Sequence, residues 1–141
     1  MTALLPALAG ANLIYGLGML EMGMTFGFGQ LVIDDEIAGM VKRVVSGMSV
    51  DDEVMGVDLI KKVGIGGDFL TQRHSLKYVL QEQSQPRVLD RRMRGAWEKR
   101  GSKDLLQVAN ERARELLRTH KPLPLPEGVE EEIKRIVASA E

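Results

Sequence analysis

The stretch "GANLIYGLGMLEMGMTFGFGQLVIDDEI", residues 10–37, decides how the fold is interpreted. It holds one charged residue, Glu21, before the acidic block Asp34, Asp35 and Glu36. Six of its residues between positions 10 and 29 are glycine. Such an uncharged, glycine-punctuated stretch suits a membrane anchor, a phosphate-binding loop or a buried sheet. The flanking residues distinguish these three possibilities.

The stretch does not match a membrane anchor or a signal peptide. Residues 3–20 are uncharged and about as long as the shortest spanning helix, but Pro6, Asn12 and three glycines interrupt them. No basic residue precedes them, as a signal peptide or a cytoplasmic flank would require. We interpret the stretch as core sequence and expect no membrane partner, with a membrane helix as the minor alternative.

The glycines do not form a nucleotide-binding fingerprint either. Gly16-Leu17-Gly18 is followed by Met-Leu-Glu, so the third glycine of a dinucleotide-binding motif is missing. The second glycine cluster, residues 64–67, lacks the lysine and hydroxyl residue of a P-loop. The chain has no cysteine, and its two histidines are far apart, so we expect no metal site. A reducing, cytoplasmic location fits this composition.

Two short apolar runs instead predict buried parallel strands. One covers residues 11–15 and ends at Gly16, and the other covers residues 31–33 and ends at Asp34. The interval between them has room for a crossover helix over residues 17–24. Asp34 would then begin a helix with acids at its positive end and Gly47 as its stop.

The rest of the chain predicts helices and loops. A loop is expected over residues 64–70, an extended segment over residues 83–92, and a stiff proline-rich linker before the last helix. Four further helices are expected: the first begins near Ser49 or Asp51, two begin near Ser75 and Arg94, and the fourth follows a cap at Ser102. The helix after Ser102 should bury one edge: Leu105, Leu106, Ala109, Ala113, Leu116 and Leu117.

Charge is segregated along the chain although the net charge is only −1. Residues 1–60 carry eight acids against Lys42 and Arg43, and residues 73–100 carry eight bases against three acids. Such asymmetry can mark a nucleic-acid surface. Few aromatic residues interleave with the bases, so salt-bridged helix surfaces are favoured and no nucleic-acid partner is expected.

Two parallel strands cannot form a stable sheet alone, because their open edges need neighbours. The pattern of strand, helix, strand, helix and then helices only is therefore typical of the end of a larger α/β domain, or of a chain that pairs with another.

The chain resembles the trimethylamine:corrinoid methyltransferase family, including its members that lack pyrrolysine and act on other methylated amines such as glycine betaine. The stretches that carry the resemblance are "GANLIYGLGMLEMG", "QLVIDDEI", "GIGGDFLTQRHSL", "QPRVLDRR", "AWEKRGSKDL" and "THKPLPLPE". The match is to the C-terminal part of the family.

The resemblance implies an α/β fold, the C-terminal portion of a (β/α)8 TIM-type barrel. Residues 1–47 would be the last βα units, with two short parallel strands. Residues 48–121 would be mostly helices packed outside the barrel, and residues 122–141 a proline linker and a C-terminal helix. A missing N-terminal barrel segment or a second copy would then be needed as a partner.

The implied activity moves a methyl group from a methylated amine, such as trimethylamine or a quaternary amine, to a corrinoid protein. The corrinoid is carried by that partner rather than bound directly, and its reduced cobalt is the nucleophile. The methyltransferase supplies positioning and electrostatics. A quaternary amine leaves as a neutral amine, whereas a tertiary amine must first be protonated or otherwise activated.

Candidate site residues follow from the expected strand ends, where barrel sites lie. Tyr15, Asp34 and Asp35 are the candidates for substrate binding, since carboxylates and aromatic faces suit a cation. Glu21 and His74 are the catalytic candidates. The alternatives are core packing for Tyr15, helix capping for the acids, an exposed position for Glu21 and surface hydrogen bonding for His74.

A basic cluster, Arg87, Arg91, Arg92 and Arg94, is the candidate for docking the corrinoid protein, with salt bridges between outer helices as the alternative. The competing function is a non-catalytic, truncated relative that acts as a helical binding or oligomerisation module.

Overall fold

The computed structural model describes residues 1–140 and is mostly helical. Two short strands, β1 and β2, flank a single 3-10 turn, Glu21–Gly23. In chain order the elements are α1 Leu4–Leu8, β1 Met19–Leu20, β2 Thr25–Phe26, α2 Phe28–Val45, α3 Asp52–Met55, α4 Val57–Val63, α5 Arg73–Glu82, α6 Arg94–Glu98, α7 Leu105–Thr119 and α8 Val129–Ser139.

The predicted pair of parallel strands is wrong. β1 and β2 form an antiparallel hairpin in which Met19 lies opposite Phe26 and Leu20 opposite Thr25. Residues 11–15 contain no strand, and residues 31–33 lie inside α2. The crossover helix expected over residues 17–24 is also wrong, because β1 and the 3-10 turn occupy it. Across residues 1–140 the only sheet is therefore this two-stranded hairpin.

Glycine and aromatic packing shape the hairpin. Gly18 has φ of 78°, and a Cβ there would lie 2.7 Å from the ring of Phe26. Phe26 in turn packs edge-to-face on Phe28, with ring centroids 5.4 Å apart. Since Phe28 is the first residue of α2, this contact seats the hairpin against the start of that helix.

The α2 helix begins six residues before Asp34, so the acidic block lies in its interior and does not cap it. The helix ends at Val45, and Gly47 follows with φ of 67°, which confirms the predicted stop. Its main neighbour is α7. A Cβ at Gly29 would collide with the side-chain amide of Asn110, so this glycine permits the close approach of the two helices.

The later helices agree with the sequence pattern except at two boundaries. Asp51 caps α3 as predicted, since its carboxylate accepts the N–H of Val54 at 2.8 Å. The single helix expected after Asp51 is interrupted at Gly56, which has φ of 58°. Ser102 is not the cap of α7; Asp104 is, in a reciprocal capping box with Gln107.

The buried core is small. The buried apolar residues are Val88, Ala109 and Ala113, whereas Leu106 and Leu117 of the predicted buried edge are more than half exposed. The accessible surface is 12108 Å², against about 7,200 Å² for a compact monomer of this mass. Much apolar surface is therefore not covered by the described residues. No helix within residues 1–140 is both long enough and apolar enough to cross a bilayer.

Candidate functional site

Glu36 anchors the α5–α6 segment, residues 83–93, to the middle of α2. Its carboxylate accepts the backbone N–H groups of Arg87 at 2.6 Å, Val88 at 2.7 Å and Leu89 at 2.8 Å. Partial burial by itself would raise the pKa of Glu36, but these three N–H donors and the nearby charge of Arg91 lower the pKa below its usual value of 4.5. The sequence analysis missed this role, because nothing in the chain order brings residue 36 to residue 88.

Asp34, two residues before Glu36 on α2, fixes the hairpin through its carboxylate. One carboxylate oxygen accepts the N–H of Gly18 at 2.8 Å, and the other accepts the side-chain amide of Gln30 at 2.7 Å. Both oxygens are thus engaged within the chain, which gives Asp34 a positioning role for the hairpin.

An open groove of about 1070 Å³ runs between α2, the α5–α6 segment and α7; it is called the α2 groove below. Its walls are largely apolar and include Leu31, Val32 and Met40. Its charged lining consists of four carboxylates and three bases: Asp35, Glu36, Glu111, Glu115, Lys42, Arg87 and Arg112. Three of the carboxylates already have partners: Glu36 accepts backbone N–H groups, Glu111 pairs with Lys103 and Glu115 pairs with Arg112. Asp35 beside the apolar wall is therefore the carboxylate that suits a small organic cation.

The substrate-binding candidate Tyr15 and the catalytic candidate Glu21 do not line this groove. Tyr15 is 81% exposed, so its interpretation as a core residue is wrong. Glu21 lies on the 3-10 turn with φ of 51° and accepts a hydrogen bond from the hydroxyl of Thr25 at 3.0 Å. Of the three predicted substrate-binding residues, only Asp35 lines the α2 groove.

His74 joins α3 to α5 at a separate place. Its Nε2 lies 2.7 Å from the carbonyl oxygen of Glu53, and its ring centroid lies 4.5 Å from that of Tyr78. Because a carbonyl only accepts hydrogen bonds, Nε2 carries the proton and Nδ1 is left for any other partner. Lys77 forms an ion pair with the Glu53 carboxylate, whose hydrogen bond raises the pKa of Lys77.

The candidate docking arginines are all exposed, and two of them form local ion pairs. Arg92 lies 3.3 Å from the carboxylate of Asp90, and Arg94 lies 2.8 Å from that of Glu98. Neither pair is the expected salt bridge between outer helices, because Arg92–Asp90 lies within the α5–α6 segment and Arg94–Glu98 lies within α6. Arg87, Arg91 and Arg92 line a second groove beside the α5–α6 segment.

The predicted site residues therefore do not converge on one centre. Tyr15 and Glu21 lie on or beside the hairpin, Asp35 lines the α2 groove, and His74 lies at the α3–α5 contact. Within residues 1–140, no group of three histidine, aspartate or glutamate side chains is arranged to hold a metal ion.

Comparison with known proteins identifies the family. Residues 1–141 match the family model described as trimethylamine methyltransferase (MTTB). The chain belongs to this family. It is 47% identical over 141 residues to trimethylamine methyltransferase MttB2 of Methanosarcina mazei, and 45% identical over 141 residues to trimethylamine methyltransferase MttB of Desulfitobacterium hafniense. It is also 32% identical over 139 residues to a glycine betaine methyltransferase of Desulfitobacterium hafniense.

These matches cover all or nearly all of this chain but only part of each relative. The two trimethylamine methyltransferases are matched over 100% of the chain and 28% of their own length. For the glycine betaine methyltransferase the shares are 98% and 29%. The chain thus spans less than a third of the length of the curated relatives that it matches.

Proposed function

We propose that this chain is part of a methyltransferase that removes a methyl group from a methylated amine. The observation that carries the proposal is the family match over residues 1–141, together with relatives named for trimethylamine and for glycine betaine. Both of those substrates present methyl groups on nitrogen, so methylated amines are the shared substrate class. As the chain spans 28% of the first relatives' length, the whole activity requires sequence beyond it.

The chain's own contribution is binding and positioning. In this proposal the carboxylate of Asp35 in the α2 groove attracts the substrate cation. Glu111 and Glu115 are held in ion pairs with Lys103 and Arg112, both at 2.7 Å, and serve as walls of the groove. The methyl acceptor is a reduced corrinoid on a separate protein, which supplies the nucleophilic cobalt. For a tertiary amine, Glu21 or His74 is the candidate for proton transfer, and Tyr15 is the candidate cation face at the hairpin.

The remaining elements are assigned to support and docking. Residues 1–47 are proposed to pack against barrel strands supplied by other sequence, residues 48–121 to form an outer helical layer, and residues 122–141 to form a separate arm. The arginines of the α5–α6 segment are candidates for an acidic partner, because the three hydrogen bonds to Glu36 hold that segment rigidly while its side chains stay exposed.

A second function, a non-catalytic helical binding module, is favoured by one specific observation. The chain exposes far more surface than a compact monomer of its mass, and its buried apolar residues are only Val88, Ala109 and Ala113 among those described. A module of this kind would use the exposed apolar surface to bind or oligomerise and would not transfer methyl groups.

The first experiment separates these functions. The chain is mixed with reduced corrinoid protein and a panel of methylated amines, and the cobalt absorbance is followed. In parallel, the chain replaces the corresponding 28% of the Methanosarcina mazei relative, and this chimera is assayed in the same way. We expect methylation by the chimera. A chimera that folds but methylates cobalt with no amine in the panel would contradict the proposed function and leave the binding module.

The second experiment tests the α2 groove. In the active chimera, Asp35→Asn should raise KM for the amine about tenfold, which corresponds to about 1.4 kcal/mol of lost cation binding. The matched control is Asp58→Asn, since Asp58 is a fully exposed aspartate on α4 outside the groove. Equal KM values for the two variants would remove Asp35 from the substrate site.

A further inference from the structure

The last helix, α8, is amphipathic but has no extensive packing contact with any other helix or strand of the described chain. Its apolar stripe consists of Val129, Ile133, Ile136 and Val137, and the last three are about half exposed. At 100° per residue, Glu130 and Glu132 border this stripe on either side. The helix therefore presents an apolar face with acidic edges.

The acidic edges are available to an outside partner. Glu130 pairs with Lys134 at 2.6 Å and Glu132 pairs with Arg135, but both pairs lie on the exposed surface of one helix. Such pairs contribute little and exchange readily.

A groove that matches this helix lies between the α5–α6 segment and the N-terminal end of α7. It has a volume of about 670 Å³ and is called the arginine groove below. Its apolar lining includes Val88, Leu89, Trp97 and Val108, and its charged lining is mostly basic: Arg87, Arg91, Arg92, Arg100 and Lys103, against Asp90 and Glu111. Two of these bases are paired within the groove, Arg92 with Asp90 and Lys103 with Glu111, which leaves Arg87, Arg91 and Arg100 for the acids of an incoming helix. Apolar side chains beside these arginines complement an apolar stripe with acidic borders.

The walls of the arginine groove are fixed by interactions already described for this chain. Glu36 holds one wall through the backbone N–H groups of residues 87–89. On the other side, the indole N–H of Trp97 donates to the carbonyl of Lys103 at 2.8 Å. The groove is therefore formed before any helix enters it.

The position of the linker favours a helix from another molecule. Residues 120–127 have no helix or strand and include Pro122, Pro124 and Pro126, so they span at most about 25 Å as a stiff extended segment. The arginine groove extends along α7 as far as Glu111, whereas α8 is attached beyond the end of that helix, about 12–21 Å away along the helix axis. Docking within one chain would require the linker to reverse at His120 and lie straight back along α7.

We propose that α8 docks in the arginine groove of a second copy of this chain, with the apolar stripe against the apolar lining of the groove and Glu130 and Glu132 facing its arginines. The exchange is reciprocal and closes a two-fold dimer. It covers α8 and the arginine groove of each copy, so this dimer and the docking of an acidic partner on Arg87, Arg91 and Arg92 are mutually exclusive. The dimer does not depend on the proposed methyl transfer.

Sedimentation equilibrium on the full chain tests this dimer with two charge-reversed variants. The groove variant is Arg91→Glu/Arg100→Glu, and the helix variant is Glu130→Lys/Glu132→Lys. Each alone should raise the dimer Kd at least tenfold. Mixed together they should form a heterodimer, because each reversed groove then meets a reversed helix and each native groove meets a native helix. Lys61→Glu/Lys62→Glu, on exposed α4, is the control and should leave the dimer intact.

Three results would overturn the proposal. The first is a monomer at every protein concentration. The second is self-association that the groove and helix variants leave unchanged while circular dichroism shows native helicity, which would indicate association through other apolar surface. The third is two monomeric variants that stay monomeric on mixing although the native chain dimerises, which would indicate that the substitutions act elsewhere than on a contact between α8 and the groove.

Discussion

The helices α7 and α8 have the same kind of amphipathic pattern but differ in how they pack. In α7, Ala109 and Ala113 are buried, and the helix packs against α2. In α8, no residue is buried and the apolar stripe consists of larger branched side chains. Periodicity predicts both helices equally well. The small residues of α7 let a neighbouring helix approach, whereas the branched stripe of α8 needs a groove to receive it.

The largest effect on this contrast is expected from a larger side chain on the contact face of α7. Ala109 is 0% exposed, so Ala109→Leu should force α2 and α7 apart and lower the free energy of unfolding by about 2–3 kcal/mol. The same change at exposed Ala138 of α8 should shift it by less than about 0.5 kcal/mol. Urea denaturation followed by circular dichroism measures both. Equal losses would mean that α7 is no better packed than α8.

Glu36→Gln tests the anchor that holds the α5–α6 segment beside α7. The amide has one acceptor oxygen in place of two and no charge, so at least one of the three N–H donors loses its partner. We expect a loss of about 1–2 kcal/mol in the free energy of unfolding, discounted because the site is only partly buried. Glu131→Gln on α8 is the matched control and should be neutral. If Glu36→Gln leaves the free energy of unfolding unchanged, the α5–α6 segment keeps its position without the carboxylate.

The same carboxylate predicts how stability depends on pH. The folded-state pKa of Glu36 lies below its usual value of 4.5, so ionised Glu36 stabilises the fold at neutral pH. This contribution is present above pH 4.5 and is lost as pH falls through the lowered folded-state pKa. Comparing urea midpoints of the native chain and Glu36→Gln down to about pH 3 should show the two curves converging in acid. A constant gap between them would contradict the ionic role.

The smallest expected effect concerns the N-terminal caps of α7 and α8. α7 begins with the Asp104–Gln107 capping box, whereas α8 begins at Gly128 with no side-chain cap. Asp104→Ala should therefore cost about 1 kcal/mol of unfolding free energy. Since α8 has no cap to lose, Glu127→Ala should cost less than about 0.5 kcal/mol. Thermal unfolding followed by circular dichroism at 222 nm measures the difference. If Asp104→Ala leaves the melting temperature unchanged, the cap does not contribute to the stability of α7.

Local signals predicted most helices but not their assembly. Asp51, Gly47 and Gly64 mark boundaries that the structure confirms, because capping and positive φ depend on the residue itself and its nearest neighbours. The apolar run at residues 31–33 was assigned to a strand, yet it continues as α2. A short apolar run suits either element, and burial of Gly29 against α7 decides between them.

The candidate site was less predictable than the fold. Asp34 and Glu36 were read as a helix start, but the structure directs their carboxylates to backbone N–H groups 16 residues and about fifty residues away in sequence. No periodic pattern encodes such contacts. Asp35, between them, lines the α2 groove, and its role in substrate binding stays a prediction.

The sequence alone determined the family, the helical character of residues 52–139 and the amphipathic stripe of α8, because these depend on motifs and on local spacing. Tertiary structure decided that residues 31–33 are helical, that Glu36 holds the α5–α6 segment, and that α7 finds a partner within the chain while α8 does not. Those outcomes depend on which surfaces come into contact in the folded chain, and these contacts join residues that are distant in the sequence.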